Sequence, residues 1–309
     1  MINPWREVYD LPQSVDPWKN GVPDFALYLD VEPTNFCNFK CEFCVGQQQG
    51  KRKRGHMSLD MFAEICRQAE KYGCRGIRFL RWGEPLLNKD FFEMIRMAKN
   101  HGLLTHVTTN GILLKDAEQF IETGIDSVII SLQGLNAEEY KRLRKGNYDV
   151  LVSRIVNLKC TRDELGANNP FISLSTTVTD ETQEEVDAFK KKWEGIVDYV
   201  GVGYTWFKRL EDKSGVQDYL SRAKKLPHLF KCQEVMVKLS IDWDGTVSPC
   251  CLDYDQQLAV GNIQNDDLME LWNSEDVKAI RTLLSHKRQD MFTLCQTCEL
   301  NYNFRGKDE

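Results

Sequence analysis

The chain has 309 residues, 42% of them hydrophobic and 28% charged, an ordinary globular composition with room for one large domain and one small one. Its net charge of −6 speaks against a nucleic-acid coat, because phosphate binding needs clustered positive charge and only Lys51-Arg52-Lys53-Arg54 forms a dense basic run. No apolar stretch approaches the ~20 residues that cross a bilayer, and Met1 to Asp10 has neither the basic start nor the apolar centre of a signal peptide, so the expectation is a cytoplasmic protein with no membrane or nucleic-acid partner.

Residues 1–24 hold Pro4, Pro12, Pro17 and Pro23 together with Trp5 and Trp18, which predicts an irregular arm whose aromatic side chains cross the main domain without a chemical role. Phe25 to Val31 reads as a buried strand, and a cysteine-rich loop follows at its C-terminal end, where parallel α/β folds place their reactive loops. Ser58 is a candidate N-cap for a helix in which Leu59, Phe62, Ala63, Cys66 and Ala69 recur at helical spacing. The alternation continues with strands at Gly76 to Trp82, Leu103 to Thr109, Asp126 to Leu132, Ile172 to Val178 and Ile196 to Tyr204. Helices between them are marked by Phe91, Ile95 and Ala98; by Ala117, Phe120 and Ile121; by Asn136 to Arg144; by Leu151, Ile155 and Leu158; and by Val186, Phe189 and Trp193. Six strand-helix units of about 30 residues each, the length of a βαβ repeat, predict an α/β fold built as an open, partial (β/α)6 barrel over 25–206.

Past 206 the pattern changes, and 207–309 reads as a small second domain. A polar link, Glu211 to Gly215, leads to strands at Val235 to Ile241 and Thr246 to Pro249 that turn at Asp242-Trp243-Asp244-Gly245. Leu268, Leu271 and Trp272, then Val277, Ile280, Leu283 and Leu284, mark helices leading to Cys295-Gln296-Thr297-Cys298.

Eleven cysteines in a cytosolic chain are read first as metal ligands, since the cytosol keeps thiols reduced. Seven fall into two groups: Cys37, Cys41 and Cys44, and Cys232, Cys250, Cys295 and Cys298. Three thiolates on one short loop can hold three corners of an iron-sulfur cube and leave the fourth iron open. The competing reading, a zinc knuckle, lacks a fourth ligand here, the nearest histidine being His56 beyond the basic run. The C-x3-C-x2-C spacing with Phe43 before the last cysteine, after the first strand of a six-unit β/α chain, resembles the radical SAM superfamily.

That resemblance implies a [4Fe-4S] cluster on Cys37, Cys41 and Cys44 whose open iron is chelated by S-adenosylmethionine, and a 5′-deoxyadenosyl radical on reduction. Gly83-Glu84-Pro85 is similar to the superfamily's GGEP segment, which binds the methionyl ammonium, with Trp82 in place of the first glycine. Thr108-Thr109-Asn110-Gly111 is similar to its TNG segment; Ser131, ending the fourth strand, and Arg154 stand where it places polar contacts to the ribose or carboxylate. A flavodoxin or ferredoxin donor is also implied.

The second group resembles the start of the SPASM pattern, in which Gly245 turns the hairpin so that Cys250 returns beside Cys232 and the Cys295/Cys298 pair closes a four-thiolate set. No further cysteine follows, which implies the shortened "twitch" form with one auxiliary cluster, so two [4Fe-4S] clusters in all; zinc on the same four thiolates is the alternative.

Cys66, Cys74 and Cys160 read as small buried hydrophobes. Cys251 follows a cluster ligand directly, and alternation would turn it away from the cluster, toward a bound substrate, where its S-H bond can return hydrogen to a carbon radical; Cys250 and Cys251 could also exchange roles. The basic run reads as a solvated turn, or as a site for a phosphorylated or nucleotide-linked small molecule if it leans over the barrel mouth. Asp242, Asp244 and Asp253 read as turn caps or as substrate contacts. The expected function is that of a radical SAM epimerase acting on a sugar or aminocyclitol through Cys251. The alternatives are a dehydrogenase like the 2-deoxy-scyllo-inosamine enzyme, a peptide-modifying enzyme of the same fold, and a zinc-bound binding module.

Overall fold

The computed structural model describes residues 1–6, 21–48, 51–179, 181–205, 224–225, 232–296, 298 and 302–303. Trp18, the polar link at 211–215 and the boundary at 206–207 lie outside the described residues. Six parallel strands form the barrel: β1 (Tyr28–Val31), β2 (Gly76–Phe79), β3 (Leu104–Thr109), β4 (Ser127–Ser131), β5 (Phe171–Val178) and β6 (Tyr199–Tyr204), paired in chain order. Between them run α1 (Leu59–Lys71), α2 (Phe91–Asn100), α3 (Ala117–Glu122), α4 (Ala137–Arg144), α5 (Tyr148–Glu164) and α6 (Gln183–Trp193).

The helices form where the apolar spacing predicts them. On α1, Phe62, Ile65, Cys66 and Ala69 are buried on one face, and the Ser58 hydroxyl accepts from the Met61 N–H at 3.3 Å, a cap that contributes about 1 kcal/mol. Strand alternation sorts the residues equally well. Leu29, Val31, Ile77, Phe79, Val107, Val128, Ile130, Ile172 and Leu174 join the core under the helices. Tyr28, Asp30, Arg78, His106, Ser127 and Ser173 take the other face, toward the barrel interior. At the N-terminal ends of the strands the interior is plugged by Trp5, which is fully buried with its ring 6.3 Å from Tyr28 and 5.9 Å from His106. Gly76 admits that indole, since a β-carbon there would stand 2.7 Å from it.

The hairpin departs from the sequence expectation. Val235 to Val237 belong to one helical turn, Glu234–Val237, and the strand is shorter, β7 (Lys238–Ile241). β7 pairs in parallel with β1, register Tyr28↔Lys238 to Val31↔Ile241, so the hairpin continues the barrel sheet. β8 (Thr246–Ser248) and β9 (Gly261–Asn262) extend it antiparallel, giving nine strands in one sheet. A buried ionic group ties this seam: Asp30 accepts from Arg78 at 2.6 and 2.9 Å and from Lys238, all three from facing strands. Helices α7 (Leu268–Trp272) and α8 (Glu275–Ser285) follow as predicted, and two further short strands, Lys224–Lys225 and Tyr302–Asn303, pair with each other.

Candidate active site

β1 runs directly into the cysteine loop. Buried Thr34 and Asn35 anchor its start on the chain beyond the basic run: the Thr34 hydroxyl donates to the Gly55 carbonyl at 2.7 Å, and the Asn35 amide donates to the Lys53 carbonyl at 2.7 Å. At the far end the Glu42 N–H donates to the Leu143 carbonyl at 3.0 Å, fixing the loop to the end of α4. Between these anchors the three thiols face one another closely enough to influence each other's ionisation. Burial pushes all three up, Cys37 to about 11. Such thiols release their protons only to a centre that supplies positive charge, as the irons of a cluster do. His56 is exposed and stacked on Phe36 at 5.0 Å, so it does not complete a zinc set. Among the described residues no three His, Cys, Asp or Glu side chains close on a single ion.

The turn after β2 is pressed against this loop. The Glu84 N–H donates to the Phe36 carbonyl at 2.8 Å, and a β-carbon on Gly83 would overlap the Thr34 carbonyl oxygen, which is why glycine stands there. Trp82, at the other position, covers Gly46 and lies edge-on to Tyr254 at 5.7 Å. The Glu84 carboxylate is buried and accepts from the Thr109 hydroxyl at 2.6 Å, the Asn110 N–H at 2.8 Å and the Leu86 N–H at 3.3 Å, with burial raising its pKa. Three of about four acceptor sites are taken. The Asn110 side chain donates to Asn38 in the cysteine loop at 2.8 Å, and Pro85 starts a short 3-10 turn. Cysteine loop, Gly83-Glu84-Pro85 and Asn110 therefore form one bonded unit at the C-terminal ends of β1, β2 and β3.

Ser131 ends β4 opposite Ser175, half-buried at the same mouth. Arg154 lies on α5 with its Nε buried and without a hydrogen bond among the described residues. The cation that Cys37, Cys41, Cys44 and Glu84 all feel is Arg144, unremarked in the sequence, whose guanidinium sits 5.5 Å from the Phe43 ring centre. Only its place at the end of a basic helix terminus hints at it, and that pattern has a sufficient explanation in the helix dipole.

The second cysteine set is assembled on the hairpin side. Cys232 is pushed up to about 11 by burial and feels Cys298, while Cys250 is raised well above the ordinary thiol range by burial and by Cys251, and feels Cys232. Cys295 and Cys298 close a turn through a 3.2 Å backbone bond. Arg81 of the β2 turn and Lys238 of β7 both lie within electrostatic reach of Cys251, and Lys238 within that of Cys250 as well. Arg81 has a left-handed φ of 108° and spans the two sites, its guanidinium pairing with Asp242 at 2.8 Å and donating to the carbonyls of Cys250 at 3.4 Å and Asp253 at 2.8 Å.

The basic run is not a free turn throughout. Arg52 is drawn inward onto Glu32, with two bonds of 2.9 Å, and onto Asp242 at 2.9 Å, leaving Lys51, Lys53 and Arg54 exposed. Asp242 is thus a network carboxylate, raised to about 6 by burial, whereas Asp244 and Asp253 cap backbone N–H groups. Cys66 and Cys74 are buried as expected; Cys160 is exposed, on the outer face of α5.

The comparisons with known proteins agree with this layout. The profile of the radical SAM superfamily matches residues 31–188, just over half of the chain, and that of an iron-sulfur cluster-binding domain, SPASM, matches 232–299. A tungsten-containing aldehyde ferredoxin oxidoreductase cofactor-modifying protein of Pyrococcus furiosus is 32% identical over 163 residues, 52% of this chain and 46% of that protein, so the match spans less than half of the relative. Among solved structures, BtrN in complex with AdoMet and 2-DOIA superposes with a TM-score of 0.58 at 20% identity over 89% of this chain and 93% of that one. Streptococcus suis SuiB bound to its precursor peptide SuiA superposes with a TM-score of 0.66 at 19% identity, over 91% and 73%. Both share the fold.

Proposed function

Because the chain belongs to the radical SAM superfamily and carries a SPASM iron-sulfur domain after its barrel, we propose that it is an epimerase acting on a sugar or aminocyclitol-type small molecule. When bound, S-adenosylmethionine and its [4Fe-4S] cluster supply a 5′-deoxyadenosyl radical on one-electron reduction, and auxiliary iron-sulfur stores an electron. In this reading Cys37, Cys41 and Cys44 hold the first cluster. Gly83, Glu84, Pro85 and Asn110 shape the place for the methionyl end, Glu84 chiefly by locking the turn to β3. Phe43 offers an aromatic wall, Ser131 and Arg154 polar contacts, and Arg144 a positive charge beside the cluster loop. Cys232, Cys250, Cys295 and Cys298 hold a single auxiliary cluster.

What supports epimerisation is that Cys250 and Cys232 lie within electrostatic reach of each other, while the adjacent Cys251 lies within reach of Arg81 on the β2 turn of the barrel; Lys238 reaches both thiols. Once a carbon-bound hydrogen is removed from the substrate, the Cys251 thiol delivers its hydrogen atom to the opposite face of the carbon radical, because the S-H bond broken is weaker than the C-H bond formed. The sulfur radical left behind would become a thiol again by taking one proton from solvent and one electron from the external reductant, for which the auxiliary iron-sulfur centre would be the store. A dehydrogenase is the second reading. BtrN, whose structure holds the small molecule 2-DOIA, matches this chain over nearly its whole length, and an alcohol carbon radical can lose a proton and an electron instead of gaining hydrogen.

The test uses reconstituted enzyme, S-adenosylmethionine, reductant and candidate substrates in deuterated water. Epimerisation gives product one mass unit heavier with deuterium on the inverted carbon; dehydrogenation gives product two units lighter. Broad visible absorption after anaerobic reconstitution distinguishes iron-sulfur from zinc, whose filled d shell is colourless. With Cys251→Ala, 5′-deoxyadenosine continues to form while inverted product disappears; inverted product at the wild-type rate sinks the assignment.

A further inference from the structure

We propose that Arg81 is the positioning residue that ties the turn carrying Cys251 to the turn that shapes the place of S-adenosylmethionine, so that radical source and hydrogen donor keep one spacing. The inference rests on the epimerase reading, in which Cys251 is the donor. The backbone at Arg81 does not suit an arginine. Its φ of 108° is left-handed, a conformation that glycine takes freely and that strains any residue with a β-carbon. The chain cannot relax there. The Leu80 N–H donates to the Val31 carbonyl at 3.1 Å and the Trp82 N–H to the Glu32 carboxylate at 3.3 Å, which pins both neighbours to β1 and its exit. A side chain kept at such a position contributes more than the strain costs, and residues held this way cluster at functional sites.

What Arg81 contributes is a fully buried fork of donors. It pairs with Asp242 at 2.8 Å and donates to the Cys250 carbonyl at 3.4 Å and the Asp253 carbonyl at 2.8 Å, the two carbonyls that bracket Cys251 and Leu252. The same turn is closed by the Asp253 N–H, which donates to the Cys250 carbonyl at 3.3 Å, and the Asp253 carboxylate caps the Gln257 and Leu258 N–H groups. Charge balance accounts for the Asp242 contact, because two buried carboxylates, Glu32 and Asp242, face two guanidinium groups, Arg52 and Arg81. It does not account for the carbonyls. Lys238, the other cation within reach of Cys251, is held by Asp30 and by Glu234 at 2.8 Å. Trp82 against Tyr254, rings 5.7 Å apart, is a second contact between the two turns, apolar and less directional. Arg81 thus has its backbone two residues before Gly83, in the turn bonded to the cysteine loop through Glu84 and Phe36, and its side chain around Cys251.

Two charge-balanced double variants of the reconstituted enzyme isolate this role. Arg81→Gln with Asp242→Asn, and Arg52→Gln with Asp242→Asn, each remove one guanidinium and the same carboxylate; only the first also removes the bonds to the Cys250 and Asp253 carbonyls. Amide hydrogen exchange over 250–258, read by mass spectrometry, is expected to rise about tenfold or more in the Arg81 variant, which loses two bonds from a charged donor, and to stay near wild type in the Arg52 variant. With a substrate that wild type inverts, the 5′-deoxyadenosine formed per inverted product rises several-fold in the Arg81 variant alone, because the radical is made while the donor is out of place. A merely structural role would lower the melting temperature and iron content of both variants and leave that ratio unchanged. Arg81→Lys, which keeps the buried charge and gives up the fork, carries the same two measurements in the same direction if the Arg81 double variant does not fold. Equal exchange in the two double variants, or an unchanged ratio when Arg81 is replaced, overturns the proposal. A wild type that forms 5′-deoxyadenosine and inverts no substrate fails the epimerase reading instead, and exchange over 250–258 still decides whether Arg81 holds the turn.

Discussion

At Gly83 a single hydrogen atom decides whether two halves of the site can touch. A β-carbon would overlap the Thr34 carbonyl oxygen and stand 2.7 Å from the carbonyl carbon, and both partners are backbone, so neither can swing aside. Gly83→Ala therefore forces the β2 turn away from the cysteine loop, at a cost of about 1–3 kcal/mol or more by analogy with overpacked cores. A Tm lowered by several degrees, with weaker iron retention after gel filtration, is the expected outcome; an unchanged Tm would show that the approach is not tight. Residues of this kind are legible in sequence because glycine has few other reasons to be where it is. Arg144 is not, since its sequence signal is the same as that of any cation closing a helix, and only the folded contact with Phe43 separates the two cases.

Among the elements, the six strand-helix units could be read because each is a local pattern: apolar spacing of the helix or strand, with a cap such as Ser58 at the start. β7 is also expected as a strand, but its later start and its pairing with β1 could not be read, because what fixes them lies 208 residues away, where Asp30 receives Lys238. A buried lysine in a short strand gives no apolar signal, and its explanation is a carboxylate on another element. That carboxylate sets an acid limit on the fold. Burial alone would raise the Asp30 carboxyl, but Arg78 and Lys238 outweigh it and hold its pKa well below the usual carboxylate range. With the folded pKa below the unfolded value of about 3.9, the stabilisation is complete above that value and fades as pH falls toward the folded pKa. Asp30→Asn leaves two buried cations short of an anion, a loss of about 3–5 kcal/mol near neutrality. Its melting temperature by circular dichroism is expected to be far below wild type at pH about 7, with the gap narrowing below about pH 4. A gap independent of pH would mean that the carboxylate charge contributes nothing at this seam.

For the molecule as a whole, the sheet does not end where the strand-helix repeat does. β1 is flanked by β2 on one side and β7 on the other, so the hairpin that leads to Cys250 is hydrogen-bonded into the barrel. Arg81 and Arg52 add a second attachment through Asp242 and the Cys250 and Asp253 carbonyls. Cys250 is thus held in register with the three-cysteine loop by backbone pairing, which keeps the Cys250–Cys251 turn in a set position against the barrel. This continuity predicts the behaviour of a truncated chain. A fragment of residues 1–231 exposes the whole of the β1 edge, with its unpaired N–H and C=O groups, and leaves Asp30 with Arg78 alone. Buried strand edges of this kind recruit other chains, so the fragment is expected to be insoluble or to elute as large aggregates, and co-expression of residues 232–309 as a separate chain is expected to restore part of the soluble material. A monomeric, cooperatively melting 1–231 fragment that takes up iron at Cys37, Cys41 and Cys44 would show the barrel to be independent, and the pairing of β1 with β7 to be a contact between two self-sufficient domains.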